Sequence, residues 1–236
     1  MREYQECYIA FLDLLGFKNS IKAMSCEEIA EYFDEINKEY ITAYDRTKQP
    51  LVNNKALHYK VMSDSICVYI DCTEKNALAG LIAACDYFQV RMLRLERPVL
   101  IRGAIVKGQI FSQKDTTFGP GLTDAYLIEE NVSKFPRIIL TKSTIDEWEN
   151  HDIIGKNYVD MFTFCDIDNF YAIDYLYLFY GLNHEQNSWK SFAKHVYKVL
   201  DTETDPSIRE KYIYIKNSIN RVRNKFMSYI EEQNHE

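Results

Sequence analysis

The fold follows from the stretch YIAFLDLLGFKNS, residues 8 to 20, and from the pattern that surrounds it. The first five residues are apolar and strand-forming, so they predict a buried strand. An aspartate, Asp13, follows this strand at once and precedes two leucines. Removing a carboxylate from water at such a position costs free energy unless a cation or a hydrogen-bond donor compensates it. We therefore expect Asp13 to bind a partner at the end of the strand.

The next two segments predict a helix and a hairpin. Apolar residues recur at helical spacing from Glu27 to Ala43, with Ser25 as the N-cap and Glu28 three residues later, as in a capping box. The segment LHYKVMSDSICVYI, residues 57–70, has two short strand-like runs. The residues between these runs, Ser63 to Ser65, predict a tight hairpin turn.

The later segments complete a β-α-ββ-α-β-α-β order through residue 140. They are an apolar helix over residues 77–95 that ends before Pro98, a strand over 99–111, a short helix over 125–133 and a strand over 137–141. Two amphipathic helices then follow between Trp189 and Glu232. The first six elements predict an α+β fold, with a ferredoxin-like βαββαβ antiparallel sheet, helices on one face and additional C-terminal helices.

Composition narrows the range of functions. The formal net charge of −7 disfavours a nucleic-acid-binding protein, which needs a basic face. Six cysteines without a CxxC pair are typical of reduced thiols in an intracellular protein. The first residues, MREYQECY, are unlike a signal peptide, and no apolar run reaches the roughly 20 residues of a membrane helix. We expect a cytoplasmic protein that binds neither nucleic acid nor membranes.

Two aspartates form the candidate site. In the predicted topology the end of the first strand and the hairpin turn lie at one edge of the sheet, so Asp13 and Asp64 come close together. Two carboxylates repel each other unless a cation lies between them. Oxygen ligands suit Mg²⁺ or Mn²⁺, which complete their shells with substrate phosphates, and Gly16 permits a tight turn whose N–H groups can cradle phosphate. The alternative is that Asp13 caps a helix and Asp64 only forms a turn.

Four segments resemble, in order, the core motifs of the class III nucleotidyl cyclase catalytic domain: FLDLLGFK, KVMSDSICVYI, IRGAIVKGQIF and GLTDAYLIEE. The resemblance covers about residues 5 to 145, and it is strongest in the first two motifs and weakest in the fourth. The compact size, the MSDS turn and the segment FYAIDYL followed by helices look most like the bacterial pyrimidine cyclases of Pycsar anti-phage defence. That family makes cyclic UMP or cyclic CMP.

The resemblance implies roles for the residues that match these motifs. Asp13 and Asp64, with Leu14 beside them, would hold two Mg²⁺ or Mn²⁺ ions per site. Arg102 would bind phosphate as a third catalytic residue, and Lys60 would contact the base. The other substrate-binding residues that it implies are Leu14, Leu15, Gly16, Phe17, His58, Tyr59 and Thr123.

Quaternary structure and substrate size follow from the same resemblance. Such cyclases are head-to-tail homodimers, so each site would combine Asp13, Asp64 and Arg102 of one chain with residues of the other chain, namely His58, Lys60 and Thr123. Bulky side chains such as His58 or Tyr59 would narrow the base pocket for a pyrimidine.

The sequence also departs from the motifs. Thr123 and Leu127 stand where adenylate-type cyclases have asparagine and arginine, and the segment MFTFCDIDN lacks the expected glycine-flanked lysine. Lys107 and Arg137 are further cations that could stabilise the transition state in their place.

The function implied is a pyrimidine nucleotide cyclase that converts UTP or CTP to the 3′,5′-cyclic nucleotide and pyrophosphate, a second messenger in anti-phage defence. The alternatives are a non-catalytic, nucleotide-binding regulatory module and a purine cyclase. Residues 1–182 would form the catalytic domain, and residues 183–236 a C-terminal helical extension packed on it. The choice between UTP and CTP, the activating signal and the role of the last helices stay open.

Overall fold

The computed structural model describes residues 3–17, 22, 24–46, 51–52, 56–114, 116–146, 151–183 and 187–233. Its first six elements are β1 (Gln5–Leu14), α1 (Cys26–Arg46), β2 (Leu57–Met62), β3 (Ser65–Asp71), α2 (Ala77–Met92) and β4 (Ile101–Gln113). The later elements are β5 (Thr116–Phe118), α3 (Pro120–Asn131), β6 (Ile138–Leu140), α4 (Lys142–Ile145), α5 (Ile153–Phe162), β7 (Thr163–Cys165), β8 (Tyr171–Ile173), α6 (Tyr175–Asn183), α7 (Asn187–Thr202) and α8 (Pro206–Gln233).

The strands form one sheet in the order β2-β3-β1-β4-β6-β8-β7, and the short β5 pairs with β4. The first four strands in this order pair antiparallel, as the ferredoxin-like arrangement requires, whereas β4 and β6 run parallel. Ser63 and Asp64 join β2 to β3, and Ser63 takes a φ of +59°. At the start of α1 the Ser25 N–H donates to Glu28 Oε2 at 2.7 Å and the Glu28 N–H donates to Ser25 Oγ at 3.3 Å. The predicted fold, hairpin and capping box are confirmed.

The central strand β1 is covered on both faces, which explains why its sequence is a continuous apolar run. Side chains alternate along a strand, and Tyr8, Ala10 and Leu12 belong to the core beneath α1 and α2. Cys7, Ile9 and Phe11 lie on the opposite face, where Ala125 of α3 packs against the sheet. The helices of the βαββαβ unit therefore lie on one face, as expected, and α3 adds a layer on the other.

A pair of glycines sets how closely α3 approaches the sheet. A Cβ atom added at Gly108 of β4 would lie 2.6 Å from the Cα atom of Gly121 in α3. Side chains at these positions would push the helix away from the strand. The close contact keeps the following turns of α3 against the end of β1.

The C-terminal helices share the core of the sheet. Trp189, Phe192 and Val196 of α7 and Ile215, Ile219 and Val222 of α8 are buried in the same apolar cluster as β1 and α2. The break predicted near DTETDPS is confirmed, because α7 ends at Thr202 and α8 begins at Pro206. Asp205 caps α8 by accepting hydrogen bonds from the N–H groups of Ser207 and Ile208 at 2.8 and 3.1 Å.

Two further features concern the cysteines and the helices. None of the six cysteines, all of which the structure describes, forms a disulfide; four are buried, whereas Cys26 and Cys165 are exposed. Within the described part of the chain, no helix is both long and apolar enough to span a bilayer.

Candidate functional site

A cavity of about 600 Å³ lies where the carboxyl end of β1 meets α3 and the first turns of α8. Four of its described lining residues carry carboxylates and two carry cations, so the cavity is polar and its fixed charge is negative. The lining residues are Phe11, Asp13, Leu14, Leu15, Gly16, Phe17, Asp64, Ser65, Pro98, Leu100, Arg102, Tyr126, Glu129, Glu130, Ile208, Lys211 and Tyr212.

Strand pairing brings the two aspartates to this cavity. Asp13 lies between Arg102 of β4 and Ser65 of β3 in the register of the sheet. The N–H of Leu14 donates to the backbone carbonyl oxygen of Asp64 at 3.1 Å, which ties the hairpin turn to the end of β1. The structure therefore places Asp13 and Asp64 at one edge of the sheet, as the topology predicts.

Arg102 lies between two carboxylates. Its Nε–H donates to Asp13 Oδ2 at 2.9 Å, and Glu129 Oε1 lies 2.7 Å from the same nitrogen. A single N–H cannot point at both oxygens, and the hydrogen bond goes to Asp13, so that Glu129 Oε1 is buried without a hydrogen-bond partner. The Glu129 side chain is only 4% exposed. Glu129 is a site residue that the motif analysis missed.

The environment of Glu129 is unfavourable for a negative charge. Burial raises the pKa of Glu129 to about 7; Arg102 opposes this shift, whereas Asp13 and Asp64 add to it. A third carboxylate thus lies beside the two predicted ones, and the described lining residues carry more carboxylates than cations. The cavity is suited to a ligand that brings positive charge.

The donor set fits a hard divalent cation. Asp13 and Asp64 offer carboxylate oxygens in a space that Leu14 also lines, and oxygen ligands suit Mg²⁺ or Mn²⁺. Among the described residues no cluster of three or more His, Cys, Asp or Glu side chains forms a ready metal site. A cation held by the two aspartates would therefore take further ligands from substrate phosphate or water, which is usual for Mg²⁺.

The turn after β1 forms the floor of the cavity. Leu14, Leu15, Gly16 and Phe17, which were predicted to bind substrate, all line it. Gly16 takes a φ of +86°, which other residues rarely adopt, and the N–H of Leu15 is used in a hydrogen bond to Leu100 at 2.9 Å.

The residues predicted to contact the base lie in a different pocket. His58, Tyr59 and Lys60 line a space of about 510 Å³ together with Tyr69 and Lys114. The His58 ring stacks on Tyr69 with 5.1 Å between ring centroids, and Lys60 Nζ donates to the Lys114 carbonyl oxygen. Within one chain, the two aspartates and the residues assigned to the base therefore line separate spaces.

Thr123 lies on the exposed side of α3. Its Oγ1 donates to the Gly119 carbonyl oxygen at 3.3 Å, and it is not among the described residues that line either space. Leu127, one turn further along, is 45% exposed. These positions, where adenylate-type cyclases have polar residues, face away from the cavity of their own chain.

The two further cations proposed from the sequence do not line the cavity of their own chain. Arg137 is 2% exposed and forms ion pairs with Asp166 and Asp168. Lys107 lies 3.7 Å from Glu6 and lines another surface depression. Among the described lining residues, the second cation is Lys211 of α8. No local motif indicated it, because α8 reaches β1 only through the tertiary fold.

Comparison with known proteins identifies the fold. No model of a known protein family matches the chain, and no curated protein does. The guanylate cyclase domain of RhGC from Catenaria anguillulae, in complex with GTP, aligns with 63% of this chain and 85% of that chain, at a TM-score of 0.51 and 14% sequence identity. The catalytic core of a rhodopsin-guanylyl cyclase with converted specificity, in complex with ATPαS, aligns with 63% and 83%, at 0.50 and 14%. The chain thus has the α+β fold of nucleotide cyclase catalytic domains.

Proposed function

We propose that the protein is a nucleotide cyclase, which converts a nucleoside triphosphate to the 3′,5′-cyclic nucleotide and pyrophosphate. The observation that carries this proposal is the meeting of Asp13, Asp64 and Arg102 in one acidic cavity at the end of β1. The fold supports it, since the two structural neighbours are cyclase domains, one bound to GTP and the other to ATPαS.

The reaction needs charge neutralisation more than a protein nucleophile. Two divalent cations, when bound by Asp13 and Asp64, would activate the ribose 3′-oxygen and offset the charge of the triphosphate. Arg102 reaches the cavity from the strand next to Asp13 and binds phosphate once it releases a carboxylate. The apolar side chains of Phe11, Leu100 and Phe17 line the same space.

A head-to-tail homodimer would complete each site. The cavity with the aspartates and the pocket with Lys60 are separate spaces in one chain. Thr123 and Leu127 lie on an exposed face of α3, and Tyr126 beside them is 40% exposed. In the proposed dimer, this face of the partner subunit and the partner's Lys60 pocket would together close the cavity and supply the base contacts.

The proposed substrate is a pyrimidine nucleotide, UTP or CTP. The stacked rings of His58 and Tyr69, with Tyr59 next to them, occupy part of the base pocket and favour a small base. A role in anti-phage defence rests on the Pycsar resemblance alone and is proposed with it.

Two other functions have an observation in their favour. A non-catalytic nucleotide-binding module is favoured by the engagement of Arg102 with Asp13 and by Leu127 in place of an arginine. A purine cyclase is favoured by the GTP and ATPαS complexes of the two structural neighbours.

Product analysis separates these functions. The pure protein is incubated with each of the four ribonucleoside triphosphates and Mn²⁺, and products are identified by chromatography. We expect cyclic UMP or cyclic CMP. Cyclic AMP or cyclic GMP as the main product would favour the purine cyclase, and binding of a triphosphate without any cyclic product would favour the regulatory module.

Complementation tests the shared site. Asp64→Asn and Lys60→Ala chains, each inactive alone, are mixed so that subunits exchange. A mixed dimer would contain one intact site and regain activity, whereas a site built within one chain would not. The dimer model is refuted when mixed dimers are detected by mass but no activity returns.

A further inference from the structure

The first turns of α8 form one side of the cavity that holds Asp13 and Asp64. Ile208, Lys211 and Tyr212 all line it. These residues are spaced by three and four positions, so they share one face of the helix. The amphipathic pattern of α8 thus serves two purposes, because its later turns enter the core while its first turns face the cavity.

Buried polar contacts fix α8 in this position. Arg221 donates two hydrogen bonds to Asp174, at 2.8 and 2.9 Å, and Asp174 is fully buried. Tyr214 Oη donates to Asp166 Oδ2 at 2.7 Å. Near the cavity, Tyr212 Oη is hydrogen-bonded to His195 Nε2 of α7 at 3.2 Å. These contacts hold the start of α8 against the cavity.

Arg102 and Lys211, the two cations among the described lining residues, differ in how firmly protein groups hold them. Arg102 is held between Asp13 and Glu129. Lys211 Nζ donates to Ser207 Oγ at 3.5 Å, which is the outer limit of a hydrogen bond and easily exchanged for a better acceptor. Metal ions would offset the carboxylates of the cavity. The ammonium group of Lys211 would then offset negative charge on an anionic ligand that enters with these ions.

We infer that Lys211 is a substrate-binding residue which contacts the polyphosphate of a nucleoside triphosphate, so that the C-terminal extension forms part of the nucleotide site. This inference rests on the proposed function and deepens it. Lys211 takes the place of a cation that the motif region lacks at Leu127. The extension is then needed for substrate binding as well as for the core.

Titration calorimetry of the full chain tests the inference with inorganic triphosphate in the presence of Mn²⁺, and with Mn²⁺ alone. Lys211→Ala is expected to weaken triphosphate binding about tenfold or more, because it removes a charge-assisted contact. The affinity for Mn²⁺ alone should stay unchanged. Lys211→Arg, which keeps the charge, should retain most of the binding. In turnover assays Lys211→Ala should raise KM more than it lowers kcat.

Arg223→Ala is the matched control, since Arg223 is an exposed cation on the same helix and is not among the described lining residues. Triphosphate binding should not change in this variant. Equal triphosphate affinity in Lys211→Ala and wild type would overturn the inference and leave the cyclase proposal standing. If Lys211→Ala weakens triphosphate binding but the wild-type chain makes no cyclic product, the inference is supported and the cyclase proposal is refuted. A wild-type chain that binds no triphosphate would overturn both.

Discussion

At the residue scale, the distribution of negative charge in the cavity depends on which carboxylate Arg102 pairs with. Its Nε–H points at Asp13, and Glu129 Oε1 is buried beside it without a hydrogen-bond partner. Cations bound by Asp13 would compete with Arg102 for the same carboxylate. The Arg102 Nε–H would then donate to Glu129 instead of Asp13. The Glu129 carboxylate would thus hold Arg102 in place while Asp13 binds a cation.

The charge of the two aspartates is expected to be essential for turnover. Asp13→Asn or Asp64→Asn keeps the shape but removes the negative charge that holds the cations, so product formation should fall about 100-fold or more. Chromatography measures the product, and circular dichroism checks the fold. Asp201→Asn, an exposed position at the end of α7, is the control. Near-normal activity in either site variant would contradict the metal-site interpretation.

Arg102 and Glu129 are expected to be coupled in stability. At about pH 9, where Glu129 is ionised beside Arg102, Arg102→Met leaves this buried carboxylate without the arginine and should lower the free energy of unfolding by about 2–3 kcal/mol. Adding Glu129→Gln should restore most of this loss, because the buried charge is gone. Urea unfolding of both single variants and the double variant, with chelator present, gives the coupling free energy. Additive effects of the two substitutions would show that the pair does not interact.

At the element scale, the sequence predicted β1, the hairpin and the capping box because each depends on residues close together in the chain. Glu129 carried a usable signal, since it follows Leu122 and Ala125 at helical spacing and thus lies on the buried stripe of α3, whereas Glu130 does not. No sequence signal marked Lys211 as a cavity residue. Its place at the cavity depends on how α8 packs, which no local pattern encodes.

The anchor of α8 is expected to contribute strongly to stability. Among the described residues, Arg221→Met leaves the buried carboxylate of Asp174 with the Lys225 ammonium group, 3.5 Å away, as its ion-pair partner, and should cost about 2–4 kcal/mol. Thermal unfolding measures the loss. The double variant Arg221→Met, Asp174→Asn should recover stability, since no buried charge is left unpaired. No recovery would mean that Arg221 acts through packing on the Phe164 ring, 3.7 Å below its guanidinium carbon.

At the scale of the whole molecule, the core contains an acid that is not among the described residues lining the candidate site. Asp86 of α2 is fully buried, and the Tyr158 Oη of α5 donates to its Oδ2 at 3.4 Å. Burial raises the pKa of Asp86 well above its ordinary value, and the nearby charge of Asp174 adds to the shift. Asp86 is therefore a buried acid whose neutral form is favoured by the fold.

Asp86 is expected to make stability depend on pH. The folded state keeps the proton at pH values where the unfolded chain has lost it, so this contribution is complete below the ordinary pKa and is lost as pH rises toward the folded pKa. Asp86→Asn removes the ionisable group. Urea unfolding from about pH 5 to about pH 8 should show the variant gaining stability relative to wild type as pH rises. The exposed variant Asp124→Asn should show no such trend, and parallel curves for Asp86→Asn and wild type would refute the assignment.

The double coverage of β1 has a consequence for amide exchange. The strand is hydrogen-bonded to β3 and β4 at its edges and covered by apolar layers on both faces, so its N–H groups reach deuterium only when the whole chain opens. Exchange measured by NMR for Cys7 to Leu12 should give the free energy of global unfolding, and a smaller value would show local opening of the strand. Asp13 is thus attached to the last part of the molecule to open. Among the described elements, α3 and α8 face this strand across the cavity, so motions that admit the proposed nucleotide would involve them.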